Sequence, residues 1–368
     1  MRCVVGWDSS DKRRYDKAYR AANDWEKMKR HFFVAAAMLV TLCGRPLYAT
    51  APVDSAVLKI SGKTASQVIV KFPSRIPDSG PVPLALEILL DRANFSPGII
   101  DGSWGRNAIK ALKWFRIANG LDSSTAVSID RVTYEKLAAA AQPISLTQVY
   151  HVTAGDLAGP FVEVPGLVYS QAKLKCLCYT SPAEELGEKF HVTPKLLSQL
   201  NPRVKLDHLK PGTRLIVPNV RDPIAANPAD SVLIARLVIS KTGFWTHALD
   251  SLGRVIYHFP STLGAGYDPS PTGDFRVTDV ASDPAFHYQP KLFHEVPDSN
   301  PDAHLPPGPN SPVGVVWISL SKPHYGIHGT SSPETIGYVS SHGCVRLTNW
   351  DALRLAQLVE PGTPVEFK

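Results

Sequence analysis

The chain has 368 residues, of which 44% are hydrophobic and 20% are charged, which is enough for two or three domains with buried cores. The formal net charge of +6 is concentrated at one end, since residues 1–51 carry ten Lys or Arg and five Asp or Glu. Subtracting these from totals of 39 and 33 leaves 29 basic and 28 acidic residues, a net of +1. This balance argues against a nucleic-acid partner.

The N-terminal segment has the pattern of an export signal. A basic stretch at 28–31 precedes an apolar run at 32–43, and small residues at 49–51 offer a cleavage site. The apolar run is too short to span a bilayer comfortably, which disfavours a permanent transmembrane helix. We therefore interpret 28–51 as a signal peptide, and the polar residues 1–27 as an extension upstream of the start that the cell uses.

A small all-α module is predicted after a linker over 52–83. Apolar residues recur at helical spacing on both sides of a Gly-rich turn: Leu84, Leu86, Leu89, Leu90, then Ala108, Ile109, Leu112 and Phe115. This spacing predicts two amphipathic helices, with a third over 129–141. The turn and second helix resemble the three-helix peptidoglycan-binding module, which we assign to 84–141. Trp104 and Trp114 are candidates for stacking on sugar, with packing in the core as the alternative.

The segment 142–178 is predicted to be a connector. It holds Cys176 and Cys178, whose spacing places both side chains on one face of a strand and would strain a disulfide. We interpret both as buried apolar residues, with a metal-binding pair as the alternative.

The segment 179–220 is predicted to form a small α+β module. Two short helices end at Asn201 and Pro202, and a turn at Pro211 and Gly212 leads into a strand. This order resembles a LysM module, which binds the N-acetyl groups of glycans. The run at 181–184 replaces the usual Gly-Asp-Thr-Leu start of that module, so glycan binding stays open here. A Pro- and Ala-rich linker, 221–230, follows.

The remaining segment, 231–368, is predicted to be a mostly β domain. Apolar runs between Gly, Pro and Asp turns predict strands within 232–240, 254–259, 275–280, 315–320 and 365–367, with one late helix over 349–358. Such a pattern favours a sheet-on-sheet sandwich or an open barrel. The segment 286–309 is too long for an ordinary loop, so we expect a lid or a substrate wall. Its His287, His294 and His304 fit no metal motif, and no metal site is predicted.

Two short segments of this domain carry the candidate chemistry: residues 325–330, Tyr-Gly-Ile-His-Gly-Thr, and residues 340–347, Ser-Ser-His-Gly-Cys-Val-Arg-Leu. A cysteine nucleophile needs a base, a group that fixes the tautomer of that base, and N–H donors for the oxyanion. His328 can be the base for Cys344 if the segments fold together, and the Gly329 carbonyl or the Thr330 hydroxyl can fix its tautomer. Gly343 permits a sharp turn, so that the N–H groups of Gly343 and Cys344 converge on one oxygen.

Neighbouring residues are candidates for shaping this site. His342 lies two positions before the nucleophile and rarely reaches back to it, so we expect it to shape the pocket together with Ser341. Arg346 shares a strand face with Cys344, where it would favour the thiolate and bind a substrate carboxylate. Tyr325 is a further substrate-binding candidate. The alternative is that Cys344 is a buried apolar residue and the histidines are ordinary loop residues.

The combination of His-Gly-Thr with Ser-His-Gly-Cys-Val-Arg-Leu resembles the active-site signature of the L,D-transpeptidase family, also called the YkuD domain. The runs 270–277 and 310–314 are similar to two further signatures of that family, so the resemblance covers 231–368. It implies that Cys344 is the nucleophile and His328 the base. It also implies action on peptidoglycan stem peptides without a cofactor, in the periplasm or cell envelope of a bacterium.

The implied reaction has two steps. The Cys344 thiolate attacks the diaminopimelate carbonyl of a tetrapeptide stem, which releases D-alanine, and the acyl group then passes to an amine of a second stem. Water as acceptor would make the enzyme an L,D-carboxypeptidase, and a lysine of an envelope lipoprotein would make it a tethering transpeptidase. A non-catalytic protein that binds glycan strands is the alternative from another class. Because the predicted catalytic residues lie beyond residue 231, we expect acylation not to depend on the upstream modules.

Overall fold

The computed structural model of the protein describes residues 55–60, 66–142, 145–225, 233–293 and 295–368. The predicted upstream extension and signal peptide, 1–51, lie outside these residues and stay predictions. The described residues belong to a single compact unit. Among them, no helix combines the length and the apolar character needed to cross a membrane.

The described residues up to position 218 form paired short strands and helices. The helices are α1 (Pro81–Arg92), α2 (Arg106–Ala118), α3 (Arg131–Ala141), α4 (Val168–Gln171), α5 (Pro182–Lys189) and α6 (Pro194–Leu200). The strands are β1 (Ser55–Ile60), β2 (Ser66–Lys71), β3 (Ser74–Arg75), β4 (Ser128–Ile129), β5 (Thr147–His151) and β6 (Arg214–Pro218). Each pairs antiparallel with one partner: β1 with β2, β3 with β4, and β5 with β6.

The predicted linker and the third helix differ from the structure. The linker, 52–83, contains β1, β2, β3 and the start of α1. The sequences of β1 and β2, SAVLKI and SQVIVK, hold β-branched residues that favour strands. The third helix begins at Arg131 rather than Ile129, because the Asp130 side chain caps it by accepting a hydrogen bond from the Thr133 N–H at 2.8 Å.

Strand β5 changes the predicted boundary at residue 179. It lies in the predicted connector but pairs with β6 over its whole length, from Thr147 opposite Pro218 to His151 opposite Arg214. The two-stranded sheet therefore brackets α5 and α6, and residues 152–181 form an excursion from it. Sequence inspection missed this pairing because the partner strands lie more than 60 residues apart.

Both candidate sugar-stacking tryptophans pack against other parts of the protein, with Trp104 buried and Trp114 partly buried. Trp104 is 7% exposed, and its indole N–H donates to the Ala126 carbonyl at 2.9 Å. Trp114 lies with its ring centre 4.4 Å from that of His247, a residue of the C-terminal domain. The structure therefore supports the core alternative for both side chains.

The C-terminal domain is built on one sheet. Its strands and helix are β7 (Arg236–Ser240), β8 (Trp245–Leu249), β9 (Val255–Pro260), β10 (Gly273–Ser282), β11 (Phe286–Tyr288), β12 (Ala303–Leu305), β13 (Val316–Leu320), β14 (Gly326–His328), β15 (Val345–Arg346), α7 (Asn349–Leu358) and β16 (Pro364–Phe367). Eight described strands form a sheet in the order β15-β14-β13-β10-β16-β7-β8-β9. Neighbours are antiparallel, except that β14 and β15, and β16 and β7, run parallel. Strands β11 and β12 form a separate hairpin.

The sheet curls until its two edges meet. Thr262, just beyond β9, exchanges two backbone hydrogen bonds with Arg346 of β15, at 3.0 and 2.9 Å. Phe259 and Val345, from opposite edges, share one buried core with Leu355 of α7. The prediction of a mostly β domain with one late helix is confirmed. The structure has a single curled sheet whose edges meet, which fits the open-barrel alternative rather than the sandwich. The strands β8, β11, β12 and β14 were not predicted.

The outer edge of β9 is covered by the upstream half of the chain. Phe95 forms a parallel bridge with His258. The N–H of Ser96 donates to the His258 carbonyl at 2.9 Å, and the N–H of His258 donates to the Asn94 carbonyl at 2.9 Å. The turn after α1 therefore extends the catalytic sheet by one short segment.

Candidate active site

The pairing of β14 with β15 brings the predicted nucleophile and base together. In this parallel pair Ile327 lies opposite Val345, and His328 lies opposite Arg346. Cys344 directly precedes β15, and side chains two positions apart on an extended chain point to the same face. Cys344 and Arg346 therefore share one face of the sheet, as predicted, and His328, opposite Arg346, lies on that face too.

His328 is held in one orientation. The side chain is 2% exposed, and its Nδ1 lies 2.7 Å from the Gly329 carbonyl oxygen. A carbonyl only accepts, so Nδ1 carries a proton, and in the neutral ring Nε2 keeps its lone pair. Within the described part of the chain this buried Nε2 has no hydrogen-bond partner. The indole of Trp317 stacks on the ring at 5.2 Å and limits its rotation.

The Gly329 peptide group is itself fixed by a residue that sequence inspection missed. The N–H of Thr330, which belongs to the same peptide unit as the Gly329 carbonyl, donates to Asn349 Oδ1 at 3.0 Å. A methyl group on Gly329 would lie 2.2 Å from that oxygen, and one on Gly314 would lie 2.0 Å from it. Both glycines belong to the quoted motifs, but the motifs do not show why glycine is needed there. The structure shows that the Asn349 side chain approaches both backbones too closely for a larger residue.

The loop before Cys344 is fixed through its carbonyl groups. The Gly343 carbonyl accepts a hydrogen bond from Ser270 Oγ at 2.8 Å, and the Cys344 carbonyl accepts one from Ser341 Oγ at 2.6 Å. Gly343 has a φ of 104°, which side-chain-bearing residues rarely adopt. The thiol sulfur of Cys344 lies 3.7 Å from the His324 carbonyl oxygen, and the residue is 2% exposed. The oxyanion role of the N–H groups of Gly343 and Cys344 stays a prediction.

His342 faces the lid segment. Its Nε2 lies 2.5 Å from Glu295 Oε1, and its ring lies 5.2 Å from that of Phe293. Both partners belong to the connection between β11 and β12. This placement agrees with a pocket-shaping residue on the wall that faces the lid.

Arg346 and Tyr325 differ in their surroundings. The Nε of Arg346 is buried, without a hydrogen-bond partner in the described part of the chain. Tyr325 is 9% exposed and belongs to the core of the curled sheet, with the Lys322 ammonium over its ring at 5.0 Å. The structure thus gives Tyr325 a packing position, and it does not support the predicted substrate contact.

The lid segment and the excursion before α5 enclose the nucleophile. Leu177, Phe286 and Leu305 are buried in one apolar cluster with Cys344. The N–H of Leu177 donates to the Pro307 carbonyl at 2.9 Å, and the N–H of Asn310 donates to the Leu177 carbonyl at 2.9 Å. The predicted connector therefore forms part of the site's wall.

The expectation that Cys176 and Cys178 are buried apolar residues is wrong. Cys176 and Cys178 form a disulfide and are half-buried, so neither is a free apolar residue. The intervening Leu177 is the buried side chain. In the described residues, no cluster of three His, Cys, Asp or Glu could hold a metal ion. His287 and His304 stack across the lid hairpin at 4.2 Å, and His294 lies outside the described residues.

Further contacts from the upstream half reach the catalytic loops. The side-chain amide of Asn107, on α2, donates to the Ile336 carbonyl at 2.8 Å, in the loop that joins the base to the nucleophile. Glu188, on α5, accepts from the Asn349 side-chain amide. These contacts contradict the premise that the upstream modules stand apart from the site.

The sequence was compared with known families and proteins. Residues 235–367 match the family model of the YkuD L,D-transpeptidase catalytic domain. The protein named "Putative L,D-transpeptidase YkuD" in Bacillus licheniformis is 30% identical over 184 residues, which cover 50% of this chain and 92% of that protein. The protein of the same name in Bacillus subtilis is 30% identical over 180 residues, covering 49% and 89%.

A crystal structure of an L,D-transpeptidase from Xylanimonas cellulosilytica is 16% identical and covers 80% of this chain and 97% of its own, with a TM-score of 0.34. The matches span nearly the whole length of the Bacillus relatives. The family model covers the segment that holds both candidate catalytic residues. The chain therefore belongs to the YkuD family of L,D-transpeptidases.

Proposed function

We propose that Cys344 and His328 perform two successive acyl transfers on peptidoglycan stem peptides. The orientation of His328 is the observation that carries this proposal. Its Nδ1 is bonded to a carbonyl, and its buried Nε2 keeps a lone pair on the face that it shares with Cys344. A general base for a thiol requires this arrangement.

In the first step His328 Nε2 takes the thiol proton, and the Cys344 sulfur attacks the diaminopimelate carbonyl of a tetrapeptide stem. The oxyanion that forms is stabilised by the N–H groups of Gly343 and Cys344, since Gly343 turns the backbone at that point. The C–N bond then breaks, the protonated His328 gives its proton to the leaving amine, and D-alanine departs. A thioester on Cys344 remains.

In the second step an amine of another stem attacks the thioester. His328 accepts the proton of the attacking amine, the C–S bond breaks, and the new amide joins the two stems. Because the thioester conserves the acyl group, no nucleotide is consumed. The buried and unpartnered Nε of Arg346 on the same face supports binding of a stem carboxylate.

The acceptor distinguishes the proposed transpeptidase from related enzymes. Mass spectrometry of products from purified tetrapeptide muropeptides should show cross-linked dimers with loss of D-alanine. Products in which D-alanine is lost without cross-links would make the protein an L,D-carboxypeptidase, and products attached only to a lipoprotein lysine would make it a tethering enzyme. The absence of all three would favour a non-catalytic wall-binding protein.

The variant Cys344→Ala provides the control for this experiment. It should abolish acyl-enzyme formation and cross-linking, while thermal unfolding should change little because one small side chain replaces another. Transpeptidation that persists in this variant would refute the assignment of the nucleophile.

We also propose export to the periplasm or cell envelope, supported by the basic, apolar and small-residue pattern of 28–51. The helical segment 84–141 and the LysM-like segment 179–220 are proposed to act near glycan strands, on their resemblance alone. N-terminal sequencing of the mature protein tests the leader, and a start far from residue 52 would contradict it. Retention on purified sacculi tests the glycan proposal, which a truncated protein lacking 84–220 but retained equally would contradict.

A further inference from the structure

A carboxylate from the upstream half of the chain contacts the residue that supports the catalytic base. Glu188 lies on α5, and both of its carboxylate oxygens accept from Asn349 Nδ2 at 3.0 Å. The hydroxyl of Tyr179 donates to the same carboxylate at 3.3 Å. Asn349 is the first residue of α7 and is 2% exposed. The contact therefore joins two parts of the chain that are 161 residues apart.

The amide of Asn349 has two different ends, and Glu188 determines which end faces the base. Nδ2 donates to both carboxyl oxygens of Glu188. The carboxylate form only accepts, so it turns Oδ1 toward the His328 loop. There Oδ1 accepts from the Thr330 N–H at 3.0 Å and lies near the Val315 N–H at 3.4 Å. The Pro309 carbonyl, 3.1 Å from Nδ2, supports the same orientation.

The peptide unit between Gly329 and Thr330 transmits this orientation to the base. A peptide unit is planar, so fixing its N–H also fixes the direction of its carbonyl. The N–H end is bonded to Asn349, and the carbonyl end accepts from His328 Nδ1 at 2.7 Å. A rotation of this plane would remove the acceptor that keeps the proton on Nδ1 and the lone pair on Nε2.

We propose that Glu188 is a positioning residue for the transpeptidase reaction, which holds the catalytic base through the amide of Asn349 and the Gly329 peptide unit. The inference rests on the proposed role of His328 as base. Glu188 touches neither substrate nor sulfur and acts through other groups. The upstream half would thus contribute to catalysis through one defined chain of hydrogen bonds.

The surroundings of Glu188 add a pH-sensitive property that the experiment can use. Burial, with smaller contributions from Glu184 on the same helix and Glu334 of the catalytic domain, raises the pKa of Glu188 to about 8. Glu188 also lines a cavity of about 580 Å³, together with the charged side chains of Lys189, Asp222 and Asp283. The carboxylate form accepts through two oxygens, so the hydrogen bonds between Glu188 and Asn349 become stronger as the pH rises through 8.

The test uses full-length Glu188→Ala and Glu188→Gln, with Glu185→Gln as the matched control on the same helix. One readout is the rate at which a carbapenem acylates Cys344. The other is the pH dependence of Cys344 alkylation by iodoacetamide, followed on the Cys344 peptide by mass spectrometry. Thermal unfolding of each variant reports the folded fraction.

Glu188→Ala should acylate about 10- to 100-fold more slowly, the range that holds for outer partners of metal-binding histidines. Its alkylation curve should move toward that of a free thiol, with a pKa of about 8.5, because the base no longer holds its tautomer. Glu188→Gln keeps one acceptor oxygen, so its acylation rate near pH 7 should be close to that of the unchanged protein. It should lack the increase in acylation rate that ionisation of Glu188 gives above pH 8. Glu185→Gln should behave as the unchanged protein.

Folded Glu188→Ala with an unchanged alkylation curve would overturn the inference, whatever its acylation rate. A loss of rate that only follows the unfolded fraction would do the same. Because alkylation needs no peptidoglycan, this outcome is independent of the acceptor experiment. A protein that fails to cross-link muropeptides, but whose Cys344 responds to Glu188→Ala, would contradict the proposed function alone.

Discussion

The two histidines of the site should respond very differently to removal, and the structure sets the size of each effect. His328 is 2% exposed, with Nδ1 bonded to Gly329 and Nε2 unpartnered among the described residues. Loss of a positioned general base costs about 10²- to 10⁴-fold, or roughly 3 to 5 kcal/mol of transition-state stabilisation. We expect His328→Ala to slow acylation of Cys344 by that factor at neutral pH.

His342 makes a weaker kind of contact. Its side chain is 24% exposed and pairs with Glu295, which is 45% exposed. Exposed ion pairs contribute about 0 to 1 kcal/mol, so His342→Ala should slow acylation by no more than about fivefold. The effect should appear through the position of the lid, leaving the pH at which the rate rises where it was.

Acylation by a carbapenem, followed by intact mass from pH 5 to 9, separates the two roles. His328→Ala should lose the rate at neutral pH and recover part of it at high pH, where a free thiol with a pKa of about 8.5 ionises unaided. A pH profile that collapses in His342→Ala but persists in His328→Ala would refute the reasoning and exchange the two roles.

Three further changes test the packing and charge of the site. Leu177→Ala should destabilise the protein by about 2 to 5 kcal/mol in urea unfolding, since this leucine is fully buried, and a change below about 0.5 kcal/mol would contradict its place in the wall. Gly329→Ala should slow acylation by about tenfold or more, because its methyl group would collide with Asn349 Oδ1. Gly266→Ala is the control, since its methyl group meets nothing within 4 Å, and equal rates in the two variants would refute the collision. Burial raises the pKa of Asp351 from 3.8 to about 7, so the folded state keeps a proton that the unfolded state loses, and stability falls as the pH rises from about 4 to 7. Calorimetry should show a flatter pH dependence in Asp351→Asn, and an unchanged slope would contradict this assignment.

The local features of the catalytic domain could be predicted because each lies within a short stretch of sequence. The helix over 349–358 follows from the Thr348 cap and apolar spacing, and its predicted bounds match the structure. The candidate nucleophile and base were found from two motifs, and the carbonyl of Gly329 was one of two acceptors proposed for the base. The helix followed from spacing, whereas the roles of nucleophile and base also rested on the resemblance of the two motifs to a family signature.

The contacts that assemble the site from distant parts could not be predicted. Nothing in the sequence around Glu188 shows that its carboxylate meets Asn349, and nothing around Leu177 shows that it packs beside Cys344. The Cys176–Cys178 disulfide was also rejected on spacing. Each of these depends on the path of the chain between β5 and β6, which is determined by tertiary packing rather than by local propensity.

The short bridge between Phe95 and His258 has a consequence for anyone who cuts this protein at the boundary of its family domain. A fragment that starts at residue 235 loses this segment and leaves the N–H and C=O of His258 on β9 without their partners. Such an edge is a template for pairing with the same edge of another molecule. Association of the isolated fragment would then result from the cut and would not be a property of the intact chain.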